Sequence, residues 1–401
     1  MSMPALARWT QGLQGPATDA WDIHHQATQR ARRGEDVILL SVGDPDFDTP
    51  VRIRDAAKQA LDAGHTHYAD VAGKPALRAA IAQVHERITG HAVSPDDIIV
   101  LAGAQCALFA ACQCLLDPGD EVVVPAPAYV TYPATIAAAA AIMVNVPLLA
   151  ETGFRLDLEA VTAAITSKTR AILINTPNNP TGAVLTRADV VALCELARRH
   201  DLWLISDEVY ADLVYEGEHV SPAGIPGMEE HAVVVNSLSK SHAMTGWRVG
   251  WVVAPRRVVN AVHDLALAML YGLPDFIQDA ATVALTENHP EVESHRQAYR
   301  RRRDKFCHAL GGVPGLRVHR PAGGMFVMLD VRPSGLAPDS FAAQLLAAEG
   351  VSVLSGDAFG GPAAGHVRVS LTVPDERLEE AAVRIHRFVN HLTRGTRRRL
   401  V

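Results

Sequence analysis

Lys240 carries the most chemical information in this sequence. It stands in Ser237-Leu-Ser239-Lys240-Ser-His-Ala-Met-Thr-Gly246-Trp-Arg248-Val-Gly250, directly after a strand-like run, His231-Ala-Val-Val-Val-Asn-Ser237. An amine at a strand end, with hydroxyls and a guanidinium close by, suits a small molecule bearing both an aldehyde and a phosphate. The amine condenses with the aldehyde, while Ser237, Ser239 and Arg248 neutralise the phosphate. The competing local reading makes Ser237 a nucleophile and Lys240 its base. That arrangement expects Ser-Asp-Asn and Lys-Thr-Gly companions, and the sequence holds neither.

Other segments offer matching chemistry, each beside a blander reading. Asp207 ends the apolar run Leu202-Trp-Leu-Ile-Ser-Asp207, where a carboxylate can hold a proton on a ring nitrogen or merely cap the next helix. Thr176-Pro-Asn-Asn179-Pro180-Thr-Gly182 is an irregular turn that can aim an amide inward or be only a turn. Leu101-Ala-Gly103-Ala104-Gln105 reads as strand, glycine and helix start, whose free N–H groups favour an anion. Tyr129 and Tyr132 both offer an aromatic face, for stacking or for the core. Arg368, in Gly365-His-Val-Arg368-Val-Ser, is a charge on a short strand, suited to a carboxylate or else to the surface.

Taken in this order, from about residue 38 to residue 371, the segments resemble the class I/II aminotransferases that use pyridoxal 5'-phosphate. The Ser237–Gly250 segment conforms throughout to that family's lysine signature. The resemblance implies an α/β fold of type I: a mostly parallel seven-stranded sheet sandwiched by helices, plus a smaller α+β domain. It also implies a homodimer with active sites at the subunit interface. It assigns Lys240, Asp207 and Tyr210 to catalysis, with Tyr210 and Asn179 bonding the cofactor's ring oxygen. Ala104, Gln105, Ser237, Ser239 and Arg248 hold the phosphate, with Tyr68 reaching from the neighbouring subunit, and Tyr129 stacks on the ring. Arg368, Gly43 and Asn179 meet the substrate's α-carboxylate. Further stretches, among them Trp21-Asp-Ile-His-His25 and Met269-Leu-Tyr-Gly-Leu-Pro-Asp-Phe-Ile-Gln278, narrow the likeness to members acting on L-arginine and pyruvate. A guanidinium-bearing donor needs an acid; Asp275 is the first candidate, ahead of Asp19 and Asp22. An aromatic or broad-range aminotransferase and a carbon–sulfur β-lyase remain open on the same fold. A non-enzymatic regulator with a DNA-binding N-terminal domain is disfavoured, because the motifs begin near residue 41 and the chain is not basic.

Composition fits these expectations. The 401 residues are 48% hydrophobic and 20% charged with a formal net charge of −7, which gives a sizeable core and no basic footprint for nucleic acid. The longest uninterrupted apolar run, Ile136 to Val144, is too short to span a bilayer. Five cysteines lack metal-site spacing and read as free thiols in a reducing, cytoplasmic setting; no metal is expected. The basic runs Arg300–Arg303 and Arg397–Arg399 read as solvated helix faces or a tail. Short apolar runs alternating with helical stretches from about Asp96 to Pro255 predict a parallel sheet with ligands beyond its strand ends. The expected division is an N-terminal arm with part of the small domain at 1–47, a large cofactor-binding domain at 48–290 and a small C-terminal domain at 291–401.

Overall fold

The computed structural model describes residues 6, 7, 10, 13 and 16–399, with side chains described for 21–392 of the continuous stretch. The strands, in chain order, are β1 (Ile38–Leu39), β2 (Ile98–Leu101), β3 (Glu121–Ala126), β4 (Ile142–Pro147), β5 (Thr169–Asn175), β6 (Trp203–Asp207) and β7 (Ala232–Ser237). They continue with β8 (Gly250–Val253), β9 (Arg317–His319), β10 (Phe326–Asp330), β11 (Val351–Ser352), β12 (Leu354–Ser355) and β13 (His366–Ser370).

Seven strands form the main sheet in the order β2-β8-β7-β6-β5-β3-β4. Only β8 runs antiparallel to its neighbours β2 and β7. The fold is therefore the mostly parallel α/β architecture of type I. Runs such as Ile98-Ile-Val-Leu101 and Ala171-Ile-Leu-Ile-Asn175 are buried on both faces, the reason they lack the alternation of a half-exposed strand. Helices Ala104–Leu115 and Arg256–Met269 pack on one side, and Arg187–Arg199 on another. The last of these starts at a reciprocal cap between Thr186 and Asp189, a pairing that satisfies otherwise orphaned N–H groups.

A second, antiparallel sheet has the order β12-β13-β10-β9, and β1 pairs in parallel with β11 beside it. Helices Pro290–Leu310, Pro338–Glu349 and Asp375–Arg399 accompany this sheet, and helix Pro16–Arg32 lies against β11 and β12. Among the described residues no helix is long and apolar enough to cross a membrane.

The first basic run departs from expectation. Arg300 and Arg301 are exposed, but Arg302 and Arg303 are buried. Arg302 makes a two-pronged pair with Asp46 at 2.7 and 2.9 Å and reaches Asp375 at 2.8 Å. Arg303 bonds Pro321 O at 2.8 Å, pairs with Glu216 at 2.9 Å and lies over the Tyr215 ring. Four consecutive residues cover more than one full helix turn, so half the run must face inward, and burial is tolerable only because acids on other segments meet it. Side chains of the second run, Arg397–Arg399, lie outside those described.

One glycine locks the cavity end of the sheet. A Cβ on Gly250 would sit 2.6 Å from Ala104 N and 2.9 Å from Asn236 O, both fixed backbone. Gly250→Ala is expected to cost about 1–3 kcal/mol through overpacking, read as a lower denaturation midpoint. Gly361→Ala, where a Cβ meets nothing within 4 Å, should stay within about 0.5 kcal/mol of the parent. Equal shifts in the two variants would refute the packing argument.

Candidate active site

The carboxyl ends of β2, β3, β5, β6 and β7 converge on one edge of the main sheet, and antiparallel β8 begins at that same edge. This arrangement brings Arg248, just before β8, beside Gly103, just after β2. Arg248, with Gly43 from the N-terminal part of the chain and Arg368 from the C-terminal part, lines a cavity of about 220 Å³. Lys240, Asp207, Asn179, Tyr210, Tyr129, Ala104, Gln105, Ser237, Ser239, Arg248, Arg368 and Gly43 all line it.

At one end the groups suit an anion. Helix Ala104–Leu115 starts without a side-chain cap, because its N-cap is Gly103, so its first N–H groups point outward unsatisfied. Gly103 has φ 85°, and a Cβ there would collide with the Arg248 guanidinium. Arg248 itself adopts φ 55°, with Nη1 donating to Thr245 O at 2.6 Å and Nη2 to Ala102 O at 3.3 Å. A non-glycine residue in the left-handed region is held there only by such surroundings. Ser237 and Ser239 complete this end; the Ser239 amide donates to Ser237 Oγ at 3.3 Å. Helix N–H groups, hydroxyls and a guanidinium together fit a phosphate.

Across the cavity floor lies Asp207, which is 4% exposed. Tyr132 donates its hydroxyl to Asp207 Oδ2 at 2.6 Å, and Val209 N donates to Oδ1 at 3.3 Å. Burial nevertheless pushes the Asp207 carboxyl up to about 6. A cationic ring nitrogen would relieve that penalty, which fits pyridoxal phosphate.

Lys240 donates from Nζ to Gly43 O at 2.7 Å. Burial lowers its amine to about 8, partly opposed by Asp44 and reinforced by Arg368 and Arg248. Asn179 accepts at Oδ1 from Arg368 Nη1 at 2.9 Å and donates from Nδ2 to the Tyr210 hydroxyl at 3.5 Å. Arg368 also donates to Ser41 O at 2.7 Å and lies 4.1 Å over the Phe326 ring. Its Nε is buried without a partner, and burial lowers the guanidinium to about 10. It stays charged at neutral pH with bonding capacity to spare, as a receptor for a carboxylate must.

Two expected site residues stand elsewhere in this chain. Tyr68 is 86% exposed and packs edge-on against Tyr271, outside the cavity. Asp275 is the first residue of helix Asp275–Thr286 rather than its cap, and Lys74 Nζ meets its carboxylate at 2.5 Å. It does not line this chain's cavity, and the lysine it meets is shared with Asp279 at 2.6 Å. Asp22 is exposed, and the side chain of Asp19 lies outside those described.

The structure also separates two tyrosines that spacing left interchangeable. Tyr129 lines the cavity, whereas Tyr132 is buried behind it as the Asp207 partner. A phenol three residues from another on one short helical turn was the only signal. Trp21, Phe326 and Thr245 line the cavity too. Thr245 donates to Asp44 at 2.6 Å; nothing in its local sequence marks it.

Asp207 yields a pH-dependent prediction for the cofactor-free protein. Its carboxyl rises from an ordinary 3.8 to about 6 on folding, so its contribution to stability is intact below about pH 4 and is lost as the pH climbs through 6. The difference amounts to roughly 3 kcal/mol at pH 8. Cofactor-free Asp207→Asn should therefore be more stable than the parent at pH 8, with the gap closing near pH 4. A gap independent of pH in denaturation curves would refute this.

Comparison with known proteins agrees with the geometry. A model of the family "aminotransferase class I and II" matches residues 35–385. The chain is 57% identical over 377 residues to arginine–pyruvate transaminase AruH of Pseudomonas aeruginosa, covering 94% of this chain and 96% of that one. It is 42% identical over 392 residues to an aspartate/prephenate aminotransferase of Thermus thermophilus, covering 96% and 99%. The structure of Thermus thermophilus aspartate aminotransferase with maleate superposes with a TM-score of 0.91 at 41% identity, covering 96% of this chain and 100% of that one.

Proposed function

Within the aminotransferase class I and II family, to which this chain belongs, we propose that it moves the α-amino group of L-arginine to pyruvate. It is a transaminase that depends on pyridoxal 5'-phosphate and acts on amino acids and 2-oxo acids. The substrate reading is carried by the 57% identity to arginine–pyruvate transaminase across nearly the whole of both chains. The Thermus relatives at 42% and 41% identity carry an aspartate name, which makes the donor side chain the point to test.

When bound, pyridoxal phosphate supplies an electron-withdrawing ring that spreads the charge left as a proton departs from the substrate's Cα. Asp207, kept oriented by Tyr132, holds the ring nitrogen protonated. Lys240 is the residue that would hold the cofactor's aldehyde carbon, and its Nζ is placed to take and return the substrate's Cα proton. An amine lowered to about 8 has a basic fraction near neutral pH. Tyr210 and Asn179 would hold the ring oxygen, and Tyr129 would offer its aromatic face to the ring. Arg368 grips the substrate's α-carboxylate, with Asn179 and the Gly43 backbone beside it. Amino acid and 2-oxo acid would use this one site in turn, which predicts ping-pong kinetics.

The proposal extends to a cytoplasmic homodimer. Five free cysteines support a reducing compartment. The exposure of Tyr68, an aromatic without a role in its own chain's cavity, supports a shared site in which it meets the partner's phosphate. Asp275 could reach a donor guanidinium only across the same interface, by giving up Lys74.

Purified protein with pyruvate as acceptor is expected to form alanine with L-arginine at a higher kcat/KM than with aspartate, leucine or phenylalanine. Preference for a neutral or acidic donor would sink the substrate assignment but not the chemistry. Pyruvate and ammonia released from a β-substituted donor without any acceptor would favour the β-lyase reading instead.

Subunit mixing tests the shared site. Lys240→Ala chains are expected to be inactive and Tyr68→Phe chains impaired. Hybrid dimers of the two should recover activity, because one of their two sites is then intact. Absence of recovery after proven subunit exchange would place Tyr68 in its own chain's site or in none.

A further inference from the structure

We propose that His319, Asp330 and His366 form a zinc-binding site on the small sheet, separate from the cofactor cavity. His319 stands opposite Met328 on β10, and His366 opposite Asp330. Directly paired residues share a sheet face, as do residues two apart on one strand, so all three side chains emerge together. Arg368 lies on that same face, two residues along β13, about 7 Å away by strand rise. Each of the three offers a ligand atom, and these atoms lie within 4.8 Å of one another.

The two imidazoles are poised as ligands rather than as donors. His366 is 1% exposed, and its Nδ1 lies 3.0 Å from Ala364 O. A carbonyl can only accept, so Nδ1 carries a hydrogen, and Nε2 is the nitrogen left to face an ion. That Nε2 is buried with no partner, and so is Nε2 of His319. A backbone carbonyl fixing the far nitrogen of a ligand histidine is the arrangement that outer-shell partners provide in metal sites.

Asp330 is 1% exposed and supplies the charge. Arg332 donates to its Oδ1 from the backbone N at 3.0 Å and from Nε at 2.9 Å, and to Oδ2 from Nη2 at 2.9 Å. Oδ1 is thereby doubly occupied, whereas Oδ2 accepts once and keeps a second direction for an ion. Arg332 is half exposed and has Glu151 3.6 Å away, so its own charge is partly matched. The Phe154 ring packs edge-on against both imidazoles at 5.1 and 6.0 Å, closing the apolar side.

Two imidazoles and a carboxylate suit zinc, with a fourth position open to water. Bonds of about 2.0–2.1 Å in a tetrahedron put ligand atoms about 3.4 Å apart. The present spread of up to 4.8 Å must therefore contract by about 1.4 Å. His319 can provide that movement: it lies at the end of β9, the edge strand of its sheet, and its ring is only partly buried.

Titration of the cofactor-loaded dimer with ZnCl2 in phosphate-free buffer, followed by calorimetry, should show one ion bound per chain. His319→Gln and His366→Gln should each weaken binding at least about tenfold, no less than losing an outer-shell partner costs. Transamination without added metal should be unchanged in both, which also shows that the variants are folded. Co2+ should give visible d–d absorbance in the parent that both variants lose. A thermal midpoint that rises with zinc in the parent alone would support the site without any variant needing to be active. Absence of zinc binding would overturn the proposal, as would binding by both variants as tight as the parent's. Zinc lost on Lys240→Ala substitution would do the same, because it would put the ion in the cofactor cavity.

Discussion

Much of the architecture depends on one buried cation. Arg368 rises from the middle of β13, and its guanidinium has left water almost entirely. Such a charge is expensive unless several dipoles meet it. They come from distant parts of the chain: Asn179 from the turn after β5, Ser41 O from the N-terminal segment, and the Phe326 face from β10. Each contact requires the small sheet, the main sheet and the N-terminal segment to sit in one mutual arrangement. The guanidinium still has an unpartnered Nε. In the proposed reaction the substrate's carboxylate completes what the protein leaves unfinished, so binding energy is available where the substrate must be oriented.

The same incompleteness recurs around the cavity. Burial moves Lys240 down to about 8 and Asp207 up to about 6, each against its own charged form. The helix starting at Ala104 has no side-chain cap, and Arg248 is held at a positive φ. These features cost stability in the empty protein and are offset by the extensive apolar core on both faces of the main sheet. Strain and uncompensated charge concentrated at one sheet edge are the mark of a site organised for a charged ligand. A cofactor with a phosphate at one end and a ring cation at the other answers both ends of the cavity.

Sequence reached most of this because the relevant signals are local. A buried strand ending in Asp207, a Pro/Gly turn around Asn179 and a glycine before Ala104 each announce a strand end, and strand ends share an edge in a parallel sheet. What sequence could not supply were relations between distant segments. Residue chemistry alone did not separate Tyr129, favoured by resemblance, from its rival Tyr132, which the structure holds against Asp207 at 2.6 Å. Arg302 and Arg303 looked like surface charge because their acids, Asp46 and Glu216, lie far away along the chain. Asp275 had no visible counter-ion in its own segment, yet Lys74, just before helix Pro75–Thr89, pairs with it and with Asp279. A pattern read along one segment reports its periodicity but not which opposite charge folds back onto it.

The loop Ser41–Pro50 shows why donor choice is free to vary on this frame. It carries Gly43, whose carbonyl meets Lys240, and it is tied down on both sides. Asp46 is gripped by Arg302 of the small-sheet layer, while Asp44 accepts from Thr245, and Thr49 bonds Ala243 O at 2.6 Å and Trp247 at 3.0 Å on the main-sheet side. A Cβ on Gly43 would drive into the Phe326 ring. The loop is thus a packed seam between two layers, and the reacting end of the substrate meets groups that can barely shift. Trp21, by contrast, comes from a helix outside both sheets, and Tyr68 and Tyr271 stand exposed on the surface. Groups of that kind can change without disturbing the seam. Selection among donors by a few kcal/mol then falls to the periphery, while the chemistry common to all donors stays with the seam.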